Sequence, residues 1–161
     1  MLLGLALSGA ACSDDDDDTE NTGDVPTDAS ELFTFLSADN YRSFAAETEV
    51  HSPNGNSPHK DVRVFVNSIL EDSLKAGNSE HPVGSASVKE LYEADKTTLM
   101  GWAVMVKTNA QSNGGQGWYW YEIFSTTDGS NPDFDGNGLV ACIGCHATGG
   151  TDFFRTPYPL E

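Results

Sequence analysis

The sequence predicts a small, mainly β domain of the α+β class, in which helices lie at the periphery of an antiparallel sheet. Two observations predict this fold. Four segments are rich in β-branched and aromatic residues, which favour strands. The connections between these segments are too short for the helical crossovers that parallel strands require. The chain has 161 residues, enough for one domain preceded by a leader.

The first elements alternate between helix and strand. The segment ASELFTFLSA (29–38) has apolar residues at helical spacing and predicts a short helix. VRVFVN (62–67) places its valines on one face and predicts a strand. NSILEDSLKAG (67–77) predicts a helix that Asn67 caps and that ends at Gly77.

Three further strands are predicted in the second half of the chain. They are GSASVKELYE (84–93), LMGWAVMVK (99–107) and WYWYEIF (118–124). The middle segment is nearly all apolar, which is typical of a strand buried on both faces. Loops rich in glycine, asparagine and aspartate separate these strands and follow the last one.

The segment DFDGNG (133–138) lies in the last of these loops. Asp133, Asp135 and Asn137 match the first half of a calcium-binding EF-hand loop. The twelfth position of such a loop needs a glutamate, and here it is Gly144. We therefore interpret the segment as an Asp/Gly-rich turn.

The composition is strongly acidic. The chain has 25 acidic and 8 basic residues, which gives a formal net charge of −17. Nucleic-acid binding requires a basic surface, so the composition argues against it. A redox partner with a basic surface remains compatible with this charge.

The N-terminus has the features of an export signal. It begins with an apolar run of about ten residues, the length of a secretory h-region and too short to span a bilayer. Small residues precede Cys12, and a run of aspartates follows it. We expect residues 1–12 to be a signal peptide with a lipobox, 13–30 an acidic disordered tether, and 31–161 the folded domain. Cys12 would then be lipidated and would anchor the protein at the periplasmic side of a bacterial membrane; ordinary signal cleavage that discards Cys12 is the alternative.

The motif CIGCH (142–146) is the most specific feature of the sequence. A Cys-x-x-Cys pair occurs in redox dithiols, in zinc sites and in covalent haem attachment. A redox dithiol usually lies in a βαβ setting, which this sequence does not suggest. A zinc site would need a distant fourth ligand, namely His51, His59 or His81. Haem attachment uses all three motif residues: Cys142 and Cys145 as thioethers to one haem c, and His146 as the iron ligand.

The sixth iron ligand has no candidate downstream of His146, because no Met, His, Lys or Cys follows it. A ligand would have to come from upstream, and the candidates are a lysine, Met100, Met105, His51, His59 and His81. The two methionines flank a strongly apolar segment and are typical of core packing. An iron without a strong sixth ligand keeps one face open to a small molecule.

The chain resembles the cytochrome P-460 family, which also contains the cytochromes c-prime-beta. The resemblance extends from NYRSF (40–44) to YP (158–159). It includes VRVFVN, HPVGSASVKELYE, GWAVMVKT and GQGWYWYEIF, and it is most specific in CIGCHATGGTDFFRTPYP. It implies a small antiparallel β domain, usually a homodimer, with one c-type haem whose sixth site is open.

The resemblance also implies two kinds of function. P-460 enzymes oxidise hydroxylamine and have a lysine bonded to the haem, whereas c-prime-beta members lack this bond and bind nitric oxide or carbon monoxide. Lys89, in the segment SVKE, is the residue in the position of that lysine. The alternative for Lys89 is a strand lysine paired with an acid. The enzymes also use a distal carboxylate in the loop before the first haem cysteine, where this chain offers Asp133 and Asp135.

Four more residues are candidates for the haem pocket. Arg155 is a candidate partner for a haem propionate, with a surface arginine as the alternative. Phe65, Trp118 and Trp120 are candidate wall residues, although ordinary core packing is the more common role of such residues. The predicted function is redox chemistry on hydroxylamine or nitric oxide with an external redox partner. A gas-binding protein without turnover and an electron-transfer cytochrome are the alternatives.

Overall fold

The computed structural model describes residues 25–53 and 57–161. Within these residues the chain forms one six-stranded antiparallel sheet, in which strands that follow one another in the chain are neighbours in the sheet. The strands are β1 (Ala45–Ala46), β2 (Asp61–Val66), β3 (Ala86–Tyr92), β4 (Leu99–Lys107), β5 (Trp118–Ile123) and β6 (Phe134–Asn137). The helices are α1 (Ala29–Ser37), α2 (Ser68–Lys75) and α3 (Val140–His146). The predicted α+β class is confirmed.

Each of the two predicted helices begins after a capping side chain, which is Asp28 for α1 and the predicted Asn67 for α2. Asp28 accepts hydrogen bonds from the first-turn N–H groups of Ser30 and Glu31, at 3.0 and 3.1 Å. Asn67 Oδ1 accepts from Leu70 N at 3.0 Å, as predicted, and also from Ala86 N at 3.0 Å. One side chain therefore caps α2 and joins it to β3.

The segment around residue 135 differs from its prediction. The sequence predicts a turn here, but residues 134–137 form β6 and pair with β5. Four of its residues pair with β5. The backbone groups of β5 therefore stabilise a strand here, although the local sequence favours a turn. Gly136 has a φ of +147°, which other residues rarely adopt.

Side chains alternate along each strand, so they point to two opposite faces of the sheet. Both faces are covered by other elements. The α1 face carries Val88, Val104 and Tyr121 and packs against α1. The α3 face carries Val64, Met105 and Trp120 and packs against α2, α3 and the C-terminal segment. Phe65 lies in the core of the α1 face beside Tyr41, so it is a packing residue and not a wall of the α3 face.

The folded region begins earlier than the predicted boundary at residue 31. Val25 is buried in the core of the α1 face, and Asp28 caps α1. Residues 25–30 therefore belong to the folded domain. The predicted leader, Cys12 and most of the predicted tether lie outside the described residues. No helix in the described part of the chain has the length and apolar character needed to cross a membrane.

Candidate haem site

Helix α3 carries the Cys-x-x-Cys-His motif. Cys145 lies three positions after Cys142, and His146 lies four positions after it. An α-helix therefore brings both residues to the side of Cys142. Neither thiol forms a disulfide within the described residues, and both line the same cavity as His146. This cavity has a volume of about 260 Å³ and lies between α3 and the α3 face of the sheet.

The imidazole of His146 is oriented by the chain that follows it. Its Nδ1 lies 2.8 Å from the carbonyl oxygen of Phe153, and because a carbonyl can only accept, Nδ1 must donate. This bond fixes the tautomer in which Nε2 keeps its lone pair for a metal. Burial lowers the pKa of His146 to about 4, so the ring is neutral at neutral pH. The ring of Trp120 lies edge-on to it, with the ring centroids 4.8 Å apart.

Two rows of side chains on the sheet form the wall that faces α3. One row crosses the paired positions Val64, Lys89, Ala103, Glu122 and Phe134, and the next crosses Val66, Ser87, Met105, Trp120 and Gly136. Lys89 and Glu122 flank Ala103, so their backbones are two strand spacings, about 10 Å, apart. The small Ala103 side chain leaves the space between them open, and all three line the 260 Å³ cavity.

Lys89 lies where two cavities meet. A smaller, more polar cavity of about 90 Å³ shares Lys89, His59, Cys145 and His146 with the larger one. Burial lowers the pKa of Lys89, although the negative charges of Glu47 and Glu122 act in the opposite direction. Within the described residues its amine forms no ion pair. The alternative of a strand lysine paired with an acid therefore has no support in this part of the chain.

Two glutamates that the sequence analysis did not single out are the carboxylates at these cavities. Glu122 is buried in the larger cavity, where its Oε1 lies 2.7 Å from His59 Nδ1 without the alignment of a hydrogen bond. Glu47 is buried in the smaller cavity, 3.0 Å from His51 Nε2, and accepts from Val64 N at 2.7 Å. One signal for Glu122 was present, since it is the single charged residue in the aromatic segment WYWYEIF.

The aspartates predicted for this role lie elsewhere. Asp135 pairs with Tyr121 across the sheet and therefore points to the α1 face, where it accepts from Tyr119 Oη at 2.5 Å. Burial and, to a smaller extent, that contact raise the pKa of Tyr119. Asp133 is exposed and accepts from Phe124 N at 3.1 Å. Neither aspartate lines the cavities beside α3, whereas Glu122 and Glu47 do.

The remaining candidates divide between cavity and core. Arg155 lines the smaller cavity, and its Nη1 donates to Cys145 O at 3.2 Å and Cys145 Sγ at 3.1 Å. Of the proposed sixth ligands and wall residues, those that line a cavity are His51, His59, Met105 and Trp120. The other candidates line neither of these two cavities; they are His81, Met100, Phe65 and Trp118. Trp118 and His81 pack edge-on in the core, with ring centroids 6.3 Å apart.

The residues present fit a covalently held haem. The two thiols and a neutral imidazole with a free Nε2 meet at a cavity with largely apolar walls. The indole N–H of Trp120, on that wall, is buried and has no partner in residues 25–53 and 57–161, so it is available to a bound group. In the same residues, no three His, Cys, Asp or Glu side chains are gathered as a site for a metal ion alone.

Comparison with known proteins agrees with this arrangement. The model of the family described as Cytochrome P460 matches residues 38–153, well over half of the chain. The chain therefore belongs to the cytochrome P460 family, and the resemblance drawn from its motifs is confirmed. This membership supports a c-type haem protein. A search of curated proteins finds no match to the chain.

Proposed function

We propose that this chain is an exported protein that carries one haem c, joined by thioethers to Cys142 and Cys145 and ligated at the iron by His146. The common cavity of the three side chains supports this proposal, as does the hydrogen bond that leaves Nε2 of His146 free. When bound, the haem would supply a redox-active iron with a second axial position for a small molecule.

We further propose that the site performs redox chemistry on a small nitrogen compound, hydroxylamine or nitric oxide. The observation that carries this proposal is Lys89, on the wall that the two cavities share. An amine with a lowered pKa is neutral more often, so its lone pair is more often free to attack or to accept a proton. The family resemblance gives the same residue, because Lys89 has the position of the lysine that P-460 enzymes bond to their haem.

The proposed chemistry needs a proton acceptor. Oxidation of hydroxylamine releases protons together with electrons, and a positioned base assists such a step. Glu122 and His59, 2.7 Å apart beside the larger cavity, are our candidates for that base. The electrons would pass to an external redox partner, and the acidic chain favours a partner with a basic surface.

The absorption spectrum of the haem-loaded protein, oxidised and reduced, is the first test. A strongly shifted reduced band indicates a haem modified by lysine, and hydroxylamine turnover is then measured. Lys89→Ala should abolish turnover while the haem stays attached, because Cys142, Cys145 and His146 are unchanged. Lys75→Ala, in an exposed residue of α2, is the control and should keep full turnover. Unchanged turnover of Lys89→Ala would remove the assigned role of Lys89.

A second candidate function is nitric oxide or carbon monoxide binding without turnover. The apolar side chains of Met105, Trp120 and Phe134 around the larger cavity favour it, since an apolar pocket suits a small uncharged gas. This function predicts an ordinary five-coordinate haem spectrum and tight binding of nitric oxide by the reduced protein. An electron carrier, with Met105 as sixth ligand, would instead show a six-coordinate low-spin spectrum.

The location and assembly of the protein are also proposals. We propose that a lipid on Cys12 holds the domain at the periplasmic side of the membrane, with the acidic segment as a spacer. The family resemblance favours a homodimer, which sedimentation equilibrium would test.

A further inference from the structure

The loop after α3 places the carbonyl of Phe153 against His146 in an unusual conformation. Asp152 and Phe153 have φ angles of +47° and +71°, in the left-handed region that non-glycine residues rarely occupy. Thr151 and Phe154 form a pair of backbone hydrogen bonds, each of 2.9 Å, around them. Because this geometry is unfavourable for two successive side-chain-bearing residues, contacts from outside the loop must hold it.

The carboxylate of Asp152 supplies those contacts. Its Oδ2 accepts from Lys107 Nζ at 2.6 Å and from His81 N at 2.8 Å, and its Oδ1 accepts from Ser112 Oγ. The Lys107 side chain is 0% exposed, lies over the ring of Trp118, and also donates to Ser112 Oγ. Lys107 is the last residue of β4, so the ion pair fastens the loop to a central strand of the sheet.

We propose that Lys107 and Asp152 are positioning residues for the axial histidine. The ion pair fixes the backbone at Asp152, the next residue presents its carbonyl, and that carbonyl holds Nδ1–H of His146. A hydrogen bond at Nδ1 makes an imidazole a stronger donor to a metal. The pair therefore tunes the haem iron from the end of a central strand without touching it. This inference depends on the proposed function only in that His146 ligates the iron.

The test compares two buried carboxylates in the haem-loaded protein. Asp152→Asn neutralises the closer of the two carboxylates that pair with Lys107, since Glu80 Oε1 lies 3.6 Å from Nζ, and it keeps the shape of the side chain. Glu90→Gln is the matched control, because the Glu90 side chain is 0% exposed and lies on the α1 face. The three partners of Glu90 are Tyr41 Oη at 2.6 Å, Tyr92 Oη at 2.6 Å and Arg42 Nη2 at 2.7 Å. Both variants should lose stability, since each neutralises a buried, paired acid.

Two readings separate positioning from stability: the reduction potential of the haem, and the iron–histidine stretching frequency of the reduced protein. Asp152→Asn should raise the potential and lower the frequency, because a weaker imidazole donor favours reduced iron. Glu90→Gln should change neither. Ser112→Ala removes one of the donors to Asp152, should fold where Asp152→Asn does not, and should move both readings in the same direction by less.

The outcomes distinguish this inference from the proposed function. An iron–histidine band in the unmodified protein that Asp152→Asn and Ser112→Ala leave unchanged would overturn the positioning role alone. Equal shifts in Glu90→Gln would overturn it too, because the effect would then follow from lost stability. Absence of a covalent haem or of an iron–histidine band in the unmodified protein would overturn the assignment of His146 itself.

Discussion

Replacement of Gly115 by alanine tests how closely the segment before β5 packs against the motif helix. A Cβ atom at Gly115 would lie 2.6 Å from Ile143 Cγ1, 2.9 Å from Ile143 Cδ1 and 3.1 Å from Phe153 Cε1. Ile143 lies between the two motif cysteines, and Phe153 holds His146 through its carbonyl. The new methyl group would therefore clash with Ile143 and Phe153, the residues that position the motif cysteines and His146.

The expected loss has two parts. Gly115 has a φ of +96°, and a left-handed conformation costs an alanine about 1–2 kcal/mol. Overpacking of a filled core adds about 1–3 kcal/mol. The neighbouring Gly114 is the matched control, because its φ is +65° and a Cβ there would meet nothing within 4 Å. Gly114→Ala should cost the backbone part alone, about 1–2 kcal/mol.

Urea unfolding of both variants, followed by tryptophan fluorescence, measures the two free energies of unfolding. Gly115→Ala should be the less stable by about 1–3 kcal/mol, the cost of overpacking. Equal losses in the two variants, or a larger loss in Gly114→Ala, would refute the close packing of Gly115 against Ile143.

Three further predictions address the site, the pH dependence and the anchor. Glu122→Gln should slow hydroxylamine turnover by about 10²–10⁴-fold, while Asp135→Asn on the opposite face should leave it unchanged; the reverse order would exclude Glu122 as the base. Burial lowers the pKa of His81, so on acidification the unfolded chain binds a proton at this residue before the folded chain does. The free energy of unfolding should therefore be highest above about pH 6.5 and decrease as the pH falls below it. His81→Gln should flatten that decrease in urea unfolding between about pH 7 and pH 5, and an unchanged slope would count against the assignment. Cys12→Ser should move the protein from the membrane fraction to the soluble fraction of expressing cells, and persistent membrane association would argue against a lipid on Cys12.

The features predicted correctly from sequence have local signals. Asn67 and Gly77 mark the ends of α2 within a few residues of the helix itself, and the cysteine spacing of the motif is complete in itself. The strand β6 lacks such a signal. Its residues are typical of turns, and they form a strand because β5 offers unpaired backbone groups beside them.

The prediction that Asp133 or Asp135 is the carboxylate beside the haem site was wrong for a related reason. Which face of a sheet a residue points to depends on its position relative to the partner strand, and a shift of one residue reverses it. Asp135 and Glu122 lie on the neighbouring strands β6 and β5. In the observed register, Asp135 points to the α1 face and Glu122 points to the α3 face. The pair of Lys107 and Asp152 was equally hidden, because 45 residues separate its members.

The register also explains how an amine and a carboxylate stay apart on the α3 face. A lysine and a glutamate on neighbouring strands would meet and neutralise each other, as cross-strand partners of opposite charge do. Here Ala103 stands between Lys89 and Glu122 in the same row, and its short side chain keeps them apart above an open space. Within the described residues the amine is left without an ion pair, while the carboxylate faces His59. The proposed nucleophile, Lys89, and the proposed base, Glu122, thus lie on opposite sides of the cavity that the thiols and imidazole of α3 also line.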